Sequence, residues 1–305
     1  MPLKKNRKKK TKIIETAADI FFTKVKQVER RLWQFLDPLM ATLNRKGGRF
    51  ENDDFNRGRL MTVEPELLSI LMGPEGIGGD LPRYLENFDE VERYNRLIYE
   101  DVLSESMAAR LSRLTFASER TFLVDDLTRA FTSTDMITQN LVVPIRRVLY
   151  SGIQFRQRVN DVAANLRAEV LTTSAGNSKV LRYARQIAQD AITQFDGAIN
   201  DRIRDDLDLD GISYLGAIIL DSRYNCVHLV NGTEIFADLA IAPGIYAVKD
   251  IPEIVTRASR NPGWNHRCTA ETFGQYRGGF NCNHEVIYFL LDDEQAQKRV
   301  LASNP

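Results

Sequence analysis

The feature that most constrains the fold of this chain is a change in its residue pattern at Gly211. Before it, over residues 82–210, few Gly or Pro residues interrupt a helical pattern that ends in the acidic run DDLDLDG. After it, short segments rich in β-branched and aromatic residues are bounded by Gly, Asn and Pro, as strands are. The sequence therefore predicts an α+β fold with a mainly helical N-terminal two-thirds and a small C-terminal α+β module.

The clearest predicted helix is the last one of the helical body. Its apolar face consists of six residues spaced by three or four positions: Ala184, Ala188, Ala191, Phe195, Ile199 and Ile203. The polar residues of the opposite face are expected to lie in solvent: Arg185, Gln189, Asp196 and Asp201. We expect Pro144 and residues 172–179 to interrupt the helical body.

The first eighty residues predict one amphipathic helix and then a connection. Apolar residues recur at steps of three and four from Ile13 to about Leu43, so residues 13–48 are predicted to contain a helix. Residues 49–81, rich in Gly, Asn and Asp, are predicted to be a loop or linker, and a helix start is expected at Asp80 or Leu81.

The C-terminal module is predicted to span residues 211–291, followed by a tail over residues 292–305. Three segments have the composition of strands: SYLGAIIL, CVHLV and HEVIYFLL. Residues 251–259 predict a short helix between them. The sequence shows no secretory signal, and no apolar run approaches the roughly 20 residues of a membrane span, so we expect a protein that is neither exported nor in a membrane.

Residues 1–12 form a strongly basic arm, although the formal net charge of the chain is zero. Its basic residues are Lys4, Lys5, Arg7, Lys8, Lys9, Lys10 and Lys12. Because this run has no apolar period, we expect it to be disordered and to bind polyanions without reading a base sequence. The alternative is a solvated tail that only aids solubility.

All three Cys and all three His residues fall in the C-terminal module, in pairs separated by one residue. The pairs are Cys226/His228, His266/Cys268 and Cys282/His284. On a strand, residues two apart point to the same side, and zinc takes four Cys or His ligands. We therefore expect at most one structural zinc, with these preferred ligands: His266, Cys268, Cys282 and His284. The alternative is a buried Cys and a His that bonds to nearby backbone.

The same region resembles a known family. The segments ARQIAQDAITQF, GISYLGAIILDSRYNCVHLVNGTEIF, NPGWNHRC and RGGFNCNH are similar to the phage head-morphogenesis, or Mu F-like, minor head proteins, over about residues 180–290. The matching residues are Asp221, Ser222, Arg223, Cys226, Gly232, Pro262, His266, Cys268, Gly278, Gly279, Cys282 and His284. The chain departs from the family at Asn283, where an Arg is frequent.

This resemblance implies a non-enzymatic minor structural protein of a tailed bacteriophage head, acting in head assembly or genome packaging and delivery. The implied partners are the portal protein, the capsid shell proteins and packaged double-stranded DNA, with no membrane. The implied location is the head interior or portal vertex of the virion, after assembly in the bacterial cytoplasm. Four residues are implied to be structural motif residues: Asp221, Arg223, Gly278 and Gly279.

Two other functions fit parts of the sequence. A nucleic-acid-binding zinc module would use the arginines around the Cys/His cluster: Arg257, Arg260, Arg267 and Arg277. A metal-dependent nuclease would instead use His266, His284 and acidic residues such as Asp221 and Glu271 to activate a water molecule.

Overall fold

The computed structural model describes residues 2–174, 176–220, 222–277 and 284–303. The chain is mainly helical with a small C-terminal sheet, which confirms the predicted α+β class. The helices are α1 Pro2–Ala17, α2 Ile20–Thr42, α3 Asp54–Met61, α4 Val63–Met72, α5 Leu81–Val102, α6 Glu105–Leu111, α7 Ala117–Thr132, α8 Thr134–Ile137, α9 Val143–Gln154, α10 Val159–Val170, α11 Lys179–Leu207, α12 Tyr224–Asn231, α13 Ile251–Ala258, α14 Phe273–Tyr276 and α15 Glu294–Leu301. The strands are β1 Arg45–Lys46, β2 Arg49–Phe50, β3 Gly211–Leu215, β4 Ala240–Ala242, β5 Ile245–Ala247 and β6 Glu285–Phe289.

The chain divides into two compact units that are interleaved along the sequence. The first, which we name the sheet unit, consists of Met1–Thr16, Glu86–Leu123 and Gln189–Pro305. The second, the helical unit, consists of Ala17–Leu85 and Val124–Ala188. Each unit is therefore built from chain segments that are distant in sequence.

Helix α2 supplies a core face of the helical unit. Its fully buried residues follow steps of three and four: Phe21, Val25, Val28, Leu32 and Leu36. The helix predicted within residues 13–48 is thus present, although a break at Ala18 and Asp19 separates α1 from α2. After α2 the chain forms the short antiparallel hairpin of β1 and β2.

A buried carboxylate holds the interruption between α10 and α11. Glu29 of α2 accepts hydrogen bonds from Thr172 N at 3.0 Å, Thr172 Oγ1 at 2.7 Å and Ser178 Oγ at 2.5 Å. The interruption predicted at residues 172–179 is confirmed. By contrast, Pro144 lies in the first turn of α9, where proline fits a helix, and a π-helical turn at Thr138–Val142 precedes it.

The prediction of a loop or linker over residues 49–81 is wrong, because α3 and α4 occupy most of it. Asp53 caps α3 by accepting a hydrogen bond from Asn56 N at 2.8 Å. The buried Asn56 side chain then donates to Asn44 O and Glu51 O. Two of the residues that indicated a loop therefore serve the helix: Asp53 caps α3, and Asn56 within α3 holds the preceding turn.

The sheet unit contains a four-stranded antiparallel sheet of order β4-β5-β3-β6. Strand β3 pairs with β6 so that Gly211 faces Phe289 and Leu215 faces Glu285. Every residue of both strands is buried. The predicted strand HEVIYFLL corresponds to β6, whereas only the first part of SYLGAIIL is a strand, since β3 ends at Leu215.

The prediction of a strand at CVHLV is wrong, because this segment lies in helix α12. Its buried residues Cys226, Leu229 and Val230 are spaced by three and one, which is a helical period. Gly232 ends the helix in the left-handed conformation, at φ 62°. The short helix predicted at residues 251–259 is confirmed as α13.

Helix α11 confirms one predicted face and corrects the other. The apolar face from Ala184 to Ile203 is buried as predicted. On the opposite face, however, Asp196 and Asp201 are buried rather than solvated.

The predicted tail over residues 292–305 also contains the helix α15. Among the described helices, none combines the length and apolar content that crossing a membrane requires.

Candidate functional site

A buried cluster of charged side chains joins α1, α11 and β6 within the sheet unit. Lys10 on α1 lies at its centre: its Nζ is 2.8 Å from Asp196 Oδ1, 3.2 Å from Glu285 Oε2 and 2.9 Å from Asn95 Oδ1. The side chain of Lys10 is 1% exposed and that of Asp196 is 0% exposed. A buried ammonium is stable here because three oxygen atoms replace its water ligands.

Arg7, one turn before Lys10, contacts the other end of the cluster. Its guanidinium donates to Glu285 Oε1, with Nε at 2.6 Å and Nη2 at 2.5 Å. Its Nη1 donates to Ser303 O at 2.5 Å and to Ser303 Oγ at 2.6 Å. The N-terminal helix is therefore held to β6 and to the end of α15 by one side chain.

Arg277 adds a third buried cation to the cluster. It donates from Nη2 to Asp196 Oδ2 at 3.1 Å, from Nε to His284 O at 2.7 Å and from Nη1 to Gly274 O. A cleft beside Asp196 and Arg277, also lined by Thr11, has a volume of about 20 Å³, which is room for a single water molecule. The cluster thus fills its space with side chains and is suited to a structural role.

The cations decide the ionisation of both carboxylates. Burial alone would raise the pKa of Asp196, but the charges of Lys10 and Arg277 outweigh burial and hold that pKa below its ordinary value. Burial likewise acts to raise the pKa of Glu285, and the charges of Lys10 and Arg7 lower it. Both groups therefore carry their charge in the folded protein.

A second buried acid, Asp201, lies further along α11. It accepts hydrogen bonds from Tyr288 Oη at 2.7 Å and from the backbone N–H groups of Gly274 and Gln275 at 3.0 Å each. Burial raises the pKa of Asp201 to about 6, although Arg204 and these donors act in the opposite direction. Burial also raises the pKa of Tyr288.

The prediction of a disordered basic arm over residues 1–12 is wrong for residues 2–12, which belong to helix α1. Leu3, Arg7 and Lys10 follow steps of four and three and are all buried. A pattern of apolar residues alone misses this face, because two of its members are cations neutralised by Asp196 and Glu285. The remaining basic residues of the arm are exposed: Lys4, Lys5, Lys8, Lys9 and Lys12.

Cys226 and His228 cannot bind the same metal ion, although this was expected when both were predicted to lie on a strand. On helix α12, residues two apart point about 200° apart around the axis. The buried Cys226 Sγ lies 3.4 Å from Tyr214 Oη, whereas His228 Nδ1 lies 2.9 Å from Thr233 Oγ1. The structure places these two side chains in different surroundings.

Of the other candidate ligands, His284 lies beside Tyr214 of β3. His284 is buried and stacks on the Tyr214 ring, with 5.4 Å between ring centroids. Cys268 is buried and His266 is exposed, while Cys282 lies outside the described residues. Across residues 2–174, 176–220, 222–277 and 284–303, no three His, Cys, Asp or Glu side chains form a group that could hold a metal ion. The predicted zinc site stays a prediction.

The residues of the family resemblance are partly described. Arg223 is the N-cap residue of α12, and a side chain at Gly263 would contact it at 3.5 Å. Asp221, Gly278 and Gly279 lie outside the described residues. Tyr214 was not predicted as important, although it contacts both Cys226 and His284.

Several of the side chains named for the two alternative functions have partners of their own. Arg257 pairs with Asp238 and Glu253, and Arg277 pairs with the buried Asp196. The exposed Glu271 accepts a hydrogen bond from Thr269 Oγ1 at 2.7 Å, and burial separates His284 from solvent. Two of the four arginines thus serve ion pairs within the protein, a buried one at Arg277 and surface ones at Arg257.

Sequence reasoning missed most of the buried cluster. It gave no role to Asn95, Glu285 and Ser303, and it expected Asp196 in solvent and Arg277 beside the Cys/His cluster. One signal was present: Asp196 interrupts the otherwise apolar surroundings of Phe195 and Ile199, and Glu285 begins an apolar strand. Charged residues at such positions are almost never buried unless paired, so each implies a distant partner.

No family model matches the sequence, and no curated protein or solved structure matches it significantly.

Proposed function

We propose that the chain is a minor structural protein of a tailed-bacteriophage head. In this role it acts in head assembly or in genome packaging and delivery near the portal vertex. Its partners are the portal protein, the shell proteins and packaged double-stranded DNA. The proposed location is the head interior or portal vertex, after assembly in the bacterial host cytoplasm.

The observation that carries the proposal is where the residues of the resemblance lie. Cys226 and His284 both contact Tyr214 on β3, a central strand of the sheet. Arg223 and Gly232 flank the same helix, α12, as its N-cap and C-cap residues. Residues that are distant in sequence thus support one small region, as expected for a structural scaffold.

The character of the polar clusters also favours a structural role over an enzymatic one. Asp196 and Glu285 are each neutralised by two cations, and both are nearly inaccessible to solvent. A general base must reach the proton that it abstracts, and these carboxylates are enclosed by their own partners. The cluster supports a rigid attachment of α1 to the sheet.

One structural zinc remains part of the proposal, with His266, Cys268, Cys282 and His284 as its ligands. A closed Cys₂His₂ site would supply folding free energy to the end of the sheet unit. Metal analysis of protein purified without added zinc tests this ligand set. We expect about one zinc per chain, lost in a Cys268→Ser variant. Metal-free wild-type protein with an unchanged melting temperature in chelator would contradict it.

The proposed function is tested by quantitative mass spectrometry on purified phage particles and on empty heads from the same infected culture. We expect the chain in both, at a low and fixed ratio to the major shell protein. A particle fraction washed at high salt controls for proteins that adhere to the outside. Presence in the infected-cell lysate alone would contradict a head role and favour the nuclease or the nucleic-acid-binding alternative.

A further inference from the structure

The outer face of α1 carries a dense group of exposed cations. We name the group Lys4, Lys5, Lys8, Lys9 and Lys12 the lysine face; all five are exposed. The other two basic residues in this part of the helix are buried, since Arg7 is 5% exposed and Lys10 is 1% exposed. In the described part of the chain, the lysines that form ion pairs are Lys10, Lys179 and Lys298, and none of these three belongs to the lysine face.

The helix geometry places these five side chains together. At about 100° per residue, the lysine face covers an arc of about 140°, and the buried residues Leu3, Arg7 and Lys10 lie on the opposite side. With a rise of about 1.5 Å per residue, Lys4 and Lys12 are about 12 Å apart along the helix. The buried cations fix the helix, so the lysines are presented on a preformed surface.

We propose that the lysine face binds the phosphate backbone of duplex DNA, and that Arg7 and Lys10 take no part in this contact. The inference rests on the proposed function for the presence of packaged DNA beside the protein. It narrows the DNA contact from seven basic residues to five. The contact reads no base sequence, because lysine ammonium groups meet only phosphate oxygens.

The charge and composition of the surface favour this partner. Duplex DNA carries one negative charge per about 1.7 Å of its axis, so a footprint of about 12 Å faces about seven phosphates. Protein interfaces place aromatic or aliphatic anchors at their centre, and no apolar residue stands between these lysines on their face of the helix. The run of cations ends at the exposed Glu15, about one turn after Lys12.

The test measures binding of the full-length protein to a labelled duplex of arbitrary sequence by fluorescence anisotropy over a range of salt concentrations. Each phosphate contact contributes about −0.9 to the slope of log K against log salt, so five lysines give a slope of up to about −4.5. We expect the triple variant Lys4→Gln, Lys8→Gln, Lys12→Gln to reduce the size of the slope by about 2.7.

A charge-matched control removes three other exposed lysines, as Lys46→Gln, Lys249→Gln and Lys298→Gln. This control keeps the wild-type slope if the lysine face is the site, and replacing Lys4, Lys8 and Lys12 by Arg also keeps it. Equal losses in the two Gln triples, or tighter binding to poly-glutamate than to duplex, would overturn the inference. Far-UV circular dichroism verifies that all variants retain their helices.

The two proposals fail separately. A chain that binds DNA through the lysine face but is missing from purified particles leaves this inference intact and overturns the head role. A chain that is present in particles at a fixed ratio but binds duplex with no salt-dependent slope overturns the lysine face alone.

Discussion

At the scale of single residues, the stability of the buried cluster depends on how many cations and carboxylates it contains. Lys10, Arg7 and Arg277 contribute three cations, and Asp196 and Glu285 contribute two carboxylates. Each carboxylate contacts two of the cations. If one carboxylate is lost, the other therefore cannot form both of the missing ion pairs. Loss of a carboxylate should therefore cost more than loss of an exposed ion pair.

We predict that Asp196→Asn destabilises the sheet unit by about 3–5 kcal/mol, because three buried cations then share one carboxylate. Asp89→Asn is the matched control, since Asp89 pairs with Arg120 and its side chain is 60% exposed. The control should cost about 1 kcal/mol or less. Urea unfolding followed by Trp264 fluorescence in a Trp33→Phe background measures both, and equal costs would contradict the prediction.

Asp201 predicts a pH dependence of stability. The pKa of Asp201 rises from 3.8 in the unfolded chain to about 6 on burial, so the folded state holds the proton more tightly. Its contribution is fully present below about pH 4 and is lost as pH rises through about 6, a change of roughly 3 kcal/mol. Asp196 and Glu285 have lowered pKa values and act in the opposite direction, at lower pH.

The measurement compares wild type with Asp201→Asn between about pH 4.5 and 6.5, where the acids with lowered pKa values remain charged in the folded state. We expect the stability of wild type relative to the variant to fall as pH rises across this window. The groups that face Asp201 are unchanged in the variant: Arg204, Tyr288 and the N–H groups of Gly274 and Gln275. Parallel stability curves would show that Asp201 does not titrate there.

At the scale of elements, apolar periodicity predicted several of the helices whose buried face is apolar, although it missed α4. The faces of α2 and α11 are such cases, and so is α13. It failed at α1, where Arg7 and Lys10 occupy buried positions, because hydropathy counts a cation as solvated. It also failed at α12, where the apolar residues of a short helix resemble those of a strand.

Helix α1 has little intrinsic stability, since lysines three and four positions apart repel one another by about 0.2–0.5 kcal/mol per pair. We predict that its amides are nevertheless protected from hydrogen exchange, because Arg7 and Lys10 hold it to the sheet unit. Glu285→Gln should accelerate exchange in α1, since both cations contact that carboxylate. Glu15→Gln, an exposed substitution on α1 itself, is the control, and fast exchange in wild type would contradict the attachment.

At the scale of the whole molecule, the sequence predicted the fold class but not how the chain is divided. The change of pattern at Gly211 correctly separates the helical body from the four-stranded sheet. It does not mark the boundary of a compact unit, because the sheet unit also contains Met1–Thr16 and Glu86–Leu123. Partners such as Lys10 and Asp196 are far apart in the sequence, and a local pattern can indicate that a buried charge needs a partner but not which residue that partner is.

This division predicts how fragments of the chain behave. A fragment of residues 211–291 lacks Arg7 and Lys10 of α1, as well as Asp201 of α11, which accepts a hydrogen bond from Tyr288 Oη of β6 at 2.7 Å. We expect it to give a poorly dispersed NMR spectrum, because the buried Tyr288 hydroxyl and the buried charge of Glu285 would lose the partners that lie outside the fragment. Full-length protein in the same buffer provides the reference spectrum.

Co-expression of residues 1–176 with residues 177–305 should restore a folded complex, because the cut spares α11 and the two fragments together supply all three segments of the sheet unit. Asp196→Asn in the second fragment should weaken that complex, whereas Lys298→Gln should leave it unchanged, since Lys298 forms an exposed pair with Glu294. A well-dispersed spectrum from residues 211–291 alone would mean that the module folds without α1, and that the buried ion pairs attach the N-terminal helix to a structure that is already complete.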